Sequence, residues 1–431
     1  MRTPSAAPSS YAGLLRLREY RGLLLSRVIS LVGDQLARVA LTVLVFERTG
    51  SALMSAISYA VTFLPVVLGG PLLGGLADRV PRRRLLVTAD LLRAALFALM
   101  ALPGVPLWLL LVLVLVATTV EAPWAAARAP LMREVLRDDD GYQRGSGLDE
   151  TLDQSGQIVG FAVAGALLVV MSPRAALLLD AATFLVSALV VRLMLREHPP
   201  ADVGPQAGRW AWASSTRTMM RDARTGLSAA LAPTCRRPLL LTWAAISCSI
   251  APEALATPWA SSLGAGPLGI GLLFAAGPAG SVVGLIVVAR MPAARAQRLL
   301  VPLAVLTLLP LVACVADPPL EVALVLVALS GAGSAFSLVA RVAFVREVVT
   351  AARGRAFSVA AAGVTAGQGV GIALAGVLAT FVRPAHAVAA TAVLGLALVG
   401  ASVLTTSPPP EPPAGRGAEP VGAAPQPPGA V

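Results

Sequence analysis

Residues 69–84 read Gly-Gly-Pro-Leu-Leu-Gly-Gly-Leu-Ala-Asp-Arg-Val-Pro-Arg-Arg-Arg, and this stretch decides the fold. It joins the end of one long apolar run to the start of the next. Gly70, Gly74 and Gly75 leave a bare helix face that a neighbouring helix can approach closely. Asp78 falls where the run turns polar, and Arg79, Arg82, Arg83 and Arg84 follow at once. Arginines grouped beside an apolar span hold their end of it on the cytoplasmic side.

Working outward, apolar runs of the same length recur from Leu23 to Leu404. Of the 431 residues, 56% are hydrophobic and only 13% charged. A soluble domain carries nearly twice that charge fraction. The chain therefore reads as an all-α polytopic membrane protein. Strand-length alternation, the mark of an outer-membrane barrel, is absent. The formal net charge of +11 invites a nucleic-acid reading. The arginines are dispersed over alternate loops, however, which is the pattern of membrane topology. We expect no nucleic-acid partner. The chain has no lysine, so it contains no Walker A loop, which needs Gly-Lys-Ser/Thr. Cys235, Cys248 and Cys314 have neither disulfide nor metal spacing and read as small apolar residues. No nucleophile motif or metal cluster suggests an enzyme, and no cleavable signal peptide stands out at the N-terminus.

Twelve spans are predicted, at 23–46, 52–77, 84–103, 106–132, 146–171, 174–195, 238–262, 267–290, 297–316, 320–344, 353–381 and 385–405. The loops sort by charge. One end of the bundle receives Arg79 to Arg84, then Arg133, Arg137 and Arg144, the arginines between 192 and 237, and those between 290 and 298 and between 346 and 355. The other end receives little more than Arg48, Arg174, Asp317, Glu321 and Arg383. This asymmetry predicts a multi-pass protein of the cell (plasma or inner) membrane with both termini cytoplasmic. The expected organisation is a cytoplasmic N-terminal segment (1–22), a six-helix bundle (23–195), a central cytoplasmic loop (196–237), a second six-helix bundle (238–405) and a Pro-rich, disordered tail (406–431). The central loop, with its arginines, Trp210 and Trp212, suits either an amphipathic helix on the inner leaflet or a plain tether.

The two bundles repeat one another. Gly156-Gln-Ile-Val-Gly-Phe-Ala-Val-Ala-Gly-Ala-Leu matches Gly367-Gln-Gly-Val-Gly-Ile-Ala-Leu-Ala-Gly-Val-Leu at an offset of 211, and Pro173 falls on Pro384 at the same offset. Arg128 with Arg133-Glu134-Val135 matches Arg341 with Arg346-Glu347-Val348 at an offset of 213. Matches in one order at nearly one offset imply two pseudo-symmetric halves of the same structure.

The stretch around Gly74 resembles the signature loop of major facilitator superfamily transporters, Gly-x-x-x-Asp-Arg-x-Gly-Arg-Arg. Gly74, Asp78, Arg79, Arg82 and Arg83 match it, and Pro81 stands in place of its last glycine. The resemblance implies that these residues, with Arg128, form a conformational latch. Its aspartate sits near the start of a helix of the other half, where the macrodipole favours a carboxylate. The fifth span is similar to the antiporter pattern Gly-x-x-x-Gly-Pro-x-x-Gly-Gly: Gly156, Gly160 and Gly165 match, while Phe161 replaces the proline and Ala164 a glycine. With Arg27-Val-Ile-Ser-Leu-Val-Gly-Asp34 in the first span and Leu-Leu-Leu-Asp180-Ala-Ala-Thr-Phe in the sixth, the chain resembles the twelve-helix drug, macrolide and siderophore efflux branch. That implies a monomeric secondary exporter of small amphiphilic molecules. It would use no cofactor and take its energy from the proton gradient, its partners being the substrate and the lipid bilayer. A metabolite importer or uniporter of the same fold, and a scaffold or permease subunit working with a separate ATPase, remain as alternatives.

Ionisable residues at membrane depth are costly, which makes each a candidate. Asp34 shares a helix face with Arg27 and Arg38; it can exchange a proton or hold a fixed ion pair. Glu121, Trp124 and Arg128 share a face of the fourth span, with Trp124 placed to stack on a flat ligand or Arg128 to join a loop-end ion network. Pro252 and Pro258 flank Glu253 and predict an interrupted helix whose freed backbone groups face a substrate site. Asp34, Glu121 and Glu253 are thus the proton-coupling candidates. Asp90 and Arg93, three apart, are expected to pair with each other. Trp124, Gln157, Phe161, Trp243 and Gln368 are the substrate-cavity candidates. Gln157 and Gln368 are repeat mates that could equally be packing glue.

Overall fold

The computed structural model describes residues 11–65, 80–136, 138–197, 221, 224–349 and 352–406, and every regular element among them is helical. The main helices are α1 (Arg18–Thr49), α2 (Ala52–Phe63), α3 (Arg82–Met100), α4 (Leu107–Leu136), α5 (Asp139–Val170), α6 (Pro173–Met194), α7 (Pro233–Ala254), α8 (Ala256–Ser262), α9 (Gly266–Ala289), α10 (Leu300–Ala316), α11 (Leu320–Glu347), α12 (Arg353–Leu378) and α13 (Pro384–Thr405). Among the described residues eight helices are long and apolar enough to cross a membrane, or nine if the bent pair α7–α8 is one span. The predicted second span continues past Leu64 into residues outside those described. In the third, Arg83, Arg84, Asp90 and Arg93 dilute the apolar run.

Local chemistry sets the helix ends. Gly50 closes α1 in the left-handed conformation (φ 62°) and its N–H returns to the Phe46 carbonyl. One residue on, the Ser51 hydroxyl accepts from the Met54 N–H and opens α2. Asp138 caps α5 at the Gly141 N–H, and Ser172 caps α6 at the Ala175 N–H. The short turns force antiparallel neighbours. Large apolar side chains such as Leu178, Leu185, Leu189 and Leu193 of α6 face outward, as hydrocarbon requires.

The interruption predicted around Glu253 is present. The chain bends by 49° between α7 and α8, with Leu255 at φ −106° and ψ 8°. Pro258 has no N–H to give the Ala254 carbonyl, which removes a rung of the helix at that bend.

The repeated glycines explain how the halves are built and how they meet. In the first half, a Cβ on Gly156 would lie 2.2 Å from Leu31, and one on Gly160 2.8 Å from Gln35, so α5 lies hard against α1. Their repeat mates, Gly367 and Gly371, receive Ser247 of α7 in the same way. Farther along, Gly165 of α5 touches Gly271 of α9, where a Cβ on Gly271 would come within 2.5 Å of the Gly165 Cα. Its repeat mate, Gly376 of α12, receives Leu53 and Ala56 of α2. The contacts α5–α9 and α2–α12 are therefore two copies of one interface. Both lie toward the arginine-poor end, as does the bond from the Thr257 hydroxyl to the Thr42 hydroxyl (3.0 Å) that ties α8 to α1.

Candidate functional site

The N-terminal half contains a cluster of buried charge. Arg93 of α3 is 3% exposed and Asp34 of α1 is 7% exposed, and they are bonded at 2.6 Å. The Arg93 guanidinium also lies 4.1 Å over the Phe184 ring of α6. Around the pair stand two fully buried carboxylates. Asp90 accepts from the Ser187 hydroxyl (2.6 Å), and Asp180 accepts from Thr183 (3.1 Å). One oxygen of each has no hydrogen-bond partner among the described residues. Gly33 makes room: a Cβ there would meet the Asp180 carboxylate at 2.2 Å. The expected Asp90–Arg93 pair is thus not formed. The arginine reaches across to α1, where the Asp34 carboxylate would otherwise lack a bonded cation, Arg27 being taken by Asp153. Asp34, in turn, takes Arg93 rather than its own helix neighbours, because Arg27 is held by Asp153 of α5 (2.8 Å).

From this cluster the charges lead toward the space between the halves. Arg38, one turn past Asp34, lies within electrostatic range of Asp34, of Glu121 on α4 and of Glu253 on α7. The Tyr59 hydroxyl of α2 donates to the Glu253 carboxylate at 2.7 Å, a bond from one half to the other. Beside it, Phe274 of α9 contacts Tyr59 edge-on (5.7 Å between centroids) and stacks on Phe161 of α5 (5.1 Å). Below this aromatic layer a cavity of about 180 Å³ lies between the halves, lined by Gln154, Gln157, Glu253, Ser281, Ser334 and Gln368 among others.

The candidates therefore divide. Glu253, Gln157 and Gln368 come together in the lining of this one cavity, Gln157 from the N-terminal half and the other two from the C-terminal half. Asp34 and Glu121 stand behind it, linked through Arg38. Phe161, 2% exposed, belongs to the closed contact between halves and does not line the cavity in this structure. Its ring fills the gap that the small residues around it leave. Trp124 is not in the cavity either: it is buried inside the N-terminal half, with Arg27 at 5.6 Å and Arg128 at 5.5 Å from its ring. Trp243 lines a different and larger cavity within the C-terminal half.

Of the latch residues, Gly74, Asp78 and Arg79 lie outside the described residues. Arg82 pairs with Glu134 of α4, Arg83 donates to the Arg192 carbonyl, and Arg128 grips Asp149 of α5 with one bond of 2.7 Å. These three hold their own half together. Sequence reasoning missed Tyr59, whose only signal is a phenol in an otherwise apolar run, and gave Asp180 no role although it sits in the same buried cluster.

Comparison with known proteins agrees with this architecture. The family described as Major Facilitator Superfamily matches residues 23–254 and 245–429. Macrolide efflux protein A of Streptococcus pyogenes is 25% identical over 175 residues, which is 39% of this chain and 42% of that protein. The MFS-type transporter YfiS of Bacillus subtilis is 29% identical over 176 residues, 41% of this chain and 42% of its own length. The alignments thus span about two fifths of those relatives. Among solved structures, a POT family transporter in complex with a conjugated peptide superposes with a TM-score of 0.71 at 10% identity, covering 90% of this chain and 96% of that one. The nucleoside transporter NupG gives 0.69 at 12% identity, covering 89% and 99%. A bacterial homologue of the iron transporter ferroportin in an inward-facing state gives 0.63 at 17% identity, covering 90% and 98%. At these identities the superpositions establish the fold.

Proposed function

The chain belongs to the major facilitator superfamily, and from that premise we propose that it is a proton-coupled exporter of small amphiphilic molecules. It works by rocking two six-helix halves, about 23–195 and 238–405, around the central cavity. The observation that carries this reading is the line of charge from the buried Asp34–Arg93 pair through the half-buried Glu121 and Arg38 to Glu253 at the cavity wall. A proton taken up on Glu253 weakens its hold on Arg38 and changes its bond to Tyr59, which is one of the ties between the halves. A proton on Asp34 likewise frees Arg93 toward Asp90 and Asp180. Proton occupancy and the closure of the halves thus act on the same side chains, which is what coupling requires.

Export as the direction is supported by the similarity to macrolide efflux protein A and by Gly156, Gly160 and Gly165 in the fifth span. The charge asymmetry of the loops supports a closed end outside and a central cavity that opens toward the cytoplasm. Phe161, which fills the position of the antiporter proline, favours a second reading as an importer or uniporter of a small metabolite.

The test is retention of erythromycin and ethidium by a pump-deficient bacterial strain that makes this chain. Lower retention that a protonophore restores is the expected result. Efflux that survives collapse of the proton gradient would overturn the proton-coupled reading, and higher retention would favour import.

A further inference from the structure

Taking the amphiphile exporter above as its basis, we infer that the cavity inside the C-terminal half is a binding site for amphiphilic anions, with Arg341 as its cation and Trp243 as its apolar wall. This cavity measures about 550 Å³ and lies among α7, α11 and α12. That is the size range of small-molecule pockets. Among the described residues that line it Arg341 alone is charged, and the rest of the surface is mostly apolar, with Trp243, Phe344 and Phe357 as its aromatic members. The aromatic positions are fixed. The Trp243 indole donates to the Ala360 carbonyl at 3.0 Å, its ring lies against Gly363, and Phe344 meets Phe357 edge-on at 5.4 Å.

The internal repeat explains why this space is open. Arg341 is the mate of Arg128 at the offset of 213. In the first half Arg128 is neutralised by Asp149, and Trp124 fills the space between Arg128 and Arg27, which Asp153 holds. The same offset carries Trp124 onto Ser337, and the offset of 211 carries Asp149 onto Ala360 and Asp153 onto Val364. All three replacements line the cavity. The second half has kept the arginine and lost both carboxylates and the indole. A filled, charge-balanced cluster in one half has become in the other a roomy, mostly apolar pocket with an exposed guanidinium that has no carboxylate partner among the described residues lining it. The missing pieces define the ligand: a flat or bulky apolar body where the indole would be, and an anionic group where the carboxylate would be. A soluble organic anion and an anionic phospholipid share that chemistry.

Three probes with one apolar body and three charges make the test: phenylbutyrate, phenylbutanamide and phenylbutylamine, titrated by calorimetry into the full chain in phosphatidylcholine nanodiscs. The anion should bind roughly tenfold tighter than the amine, the ratio expected of one charge-assisted contact. Arg341→Gln should abolish that preference and Arg341→Lys should keep most of it. Ala360→Asp, which restores the carboxylate of the other half, should reverse it. Ser337→Trp should weaken all three probes together. A monodisperse elution and an unchanged melting transition in each variant check folding. Equal binding of anion and amine, no binding of any probe, or a preference that survives Arg341→Gln would overturn the site. If phosphatidylglycerol added to the nanodiscs suppresses phenylbutyrate binding, the occupant is a bilayer lipid; if it does not, the occupant is a soluble amphiphile. Binding that fails while protonophore-sensitive efflux persists disproves this site alone. Efflux that fails while the anion preference stands disproves the exporter and leaves the site.

Discussion

Arg93 shows how a single residue holds both structure and charge balance. It is bonded to Asp34 and lies in the field of Glu121, Asp180 and Asp90. Removing one partner of a buried ion pair costs about 3–5 kcal/mol, because the other charge stays behind without compensation. We expect Arg93→Met to lower the melting temperature of the purified protein markedly, and the double variant Arg93→Met, Asp34→Leu to recover much of the loss. A double variant no more stable than the single one would show that the pair carries no such coupling. At the cavity wall, Tyr59→Phe removes the bond to Glu253 without changing shape. A hydrogen bond to a charged acceptor contributes about 1.5–3 kcal/mol. The variant should loosen the contact between α2 and α7, read as a longer spin-label distance across the arginine-poor end. The residues that sequence alone could name were those whose chemistry is expensive in hydrocarbon, Asp34, Glu121 and Glu253. Their partners could not be named, since Arg93 and Tyr59 reach them from helices far away in the chain.

At the level of elements, glycine spacing decides which helices touch. The repeat in α5 and α12 was legible as a pattern, and the structure gives it a meaning: two positions bind the first helix of the same half, and a third binds the second helix of the other half. The break between α7 and α8 was legible too, because Pro252 and Pro258 bracket it. Less legible were the aromatic positions. Phe161 and Trp124 have the spacing of cavity residues, yet each fills a gap left by small neighbours, and helical periodicity does not say which face is lined by a void. The glycine contact gives a direct prediction. Gly271→Leu cannot be accommodated against the Gly165 backbone, so it should separate α5 from α9 and favour opening at that end. Increased reactivity of a cysteine placed at Thr257 is the readout, and unchanged reactivity would argue against this contact as the closure.

The whole molecule is a pair of repeated halves that meet at their arginine-poor ends. Composition, loop charge and the repeat made this architecture legible in the sequence, whereas the state of closure was not, since under the proposed rocking of the halves one sequence adopts more than one such state. The orientation proposed here is open to test by labelling. A cysteine at Gln154, on the central cavity, should react with an impermeant maleimide in inverted vesicles and not in right-side-out ones, and a cysteine at Thr380 should do the opposite. The same reactivity pattern for both would contradict the assigned sides.

On the proposed reading, substrate movement and proton movement share the Asp34–Glu253 line. Inverted vesicles energised to an acid interior, with a quenched acridine dye reporting the gradient, measure this most directly. Adding erythromycin or ethidium should release part of the gradient in the native chain and not in Asp34→Asn or Glu253→Gln. Accumulation of either compound that leaves the gradient untouched and survives a protonophore would contradict the account.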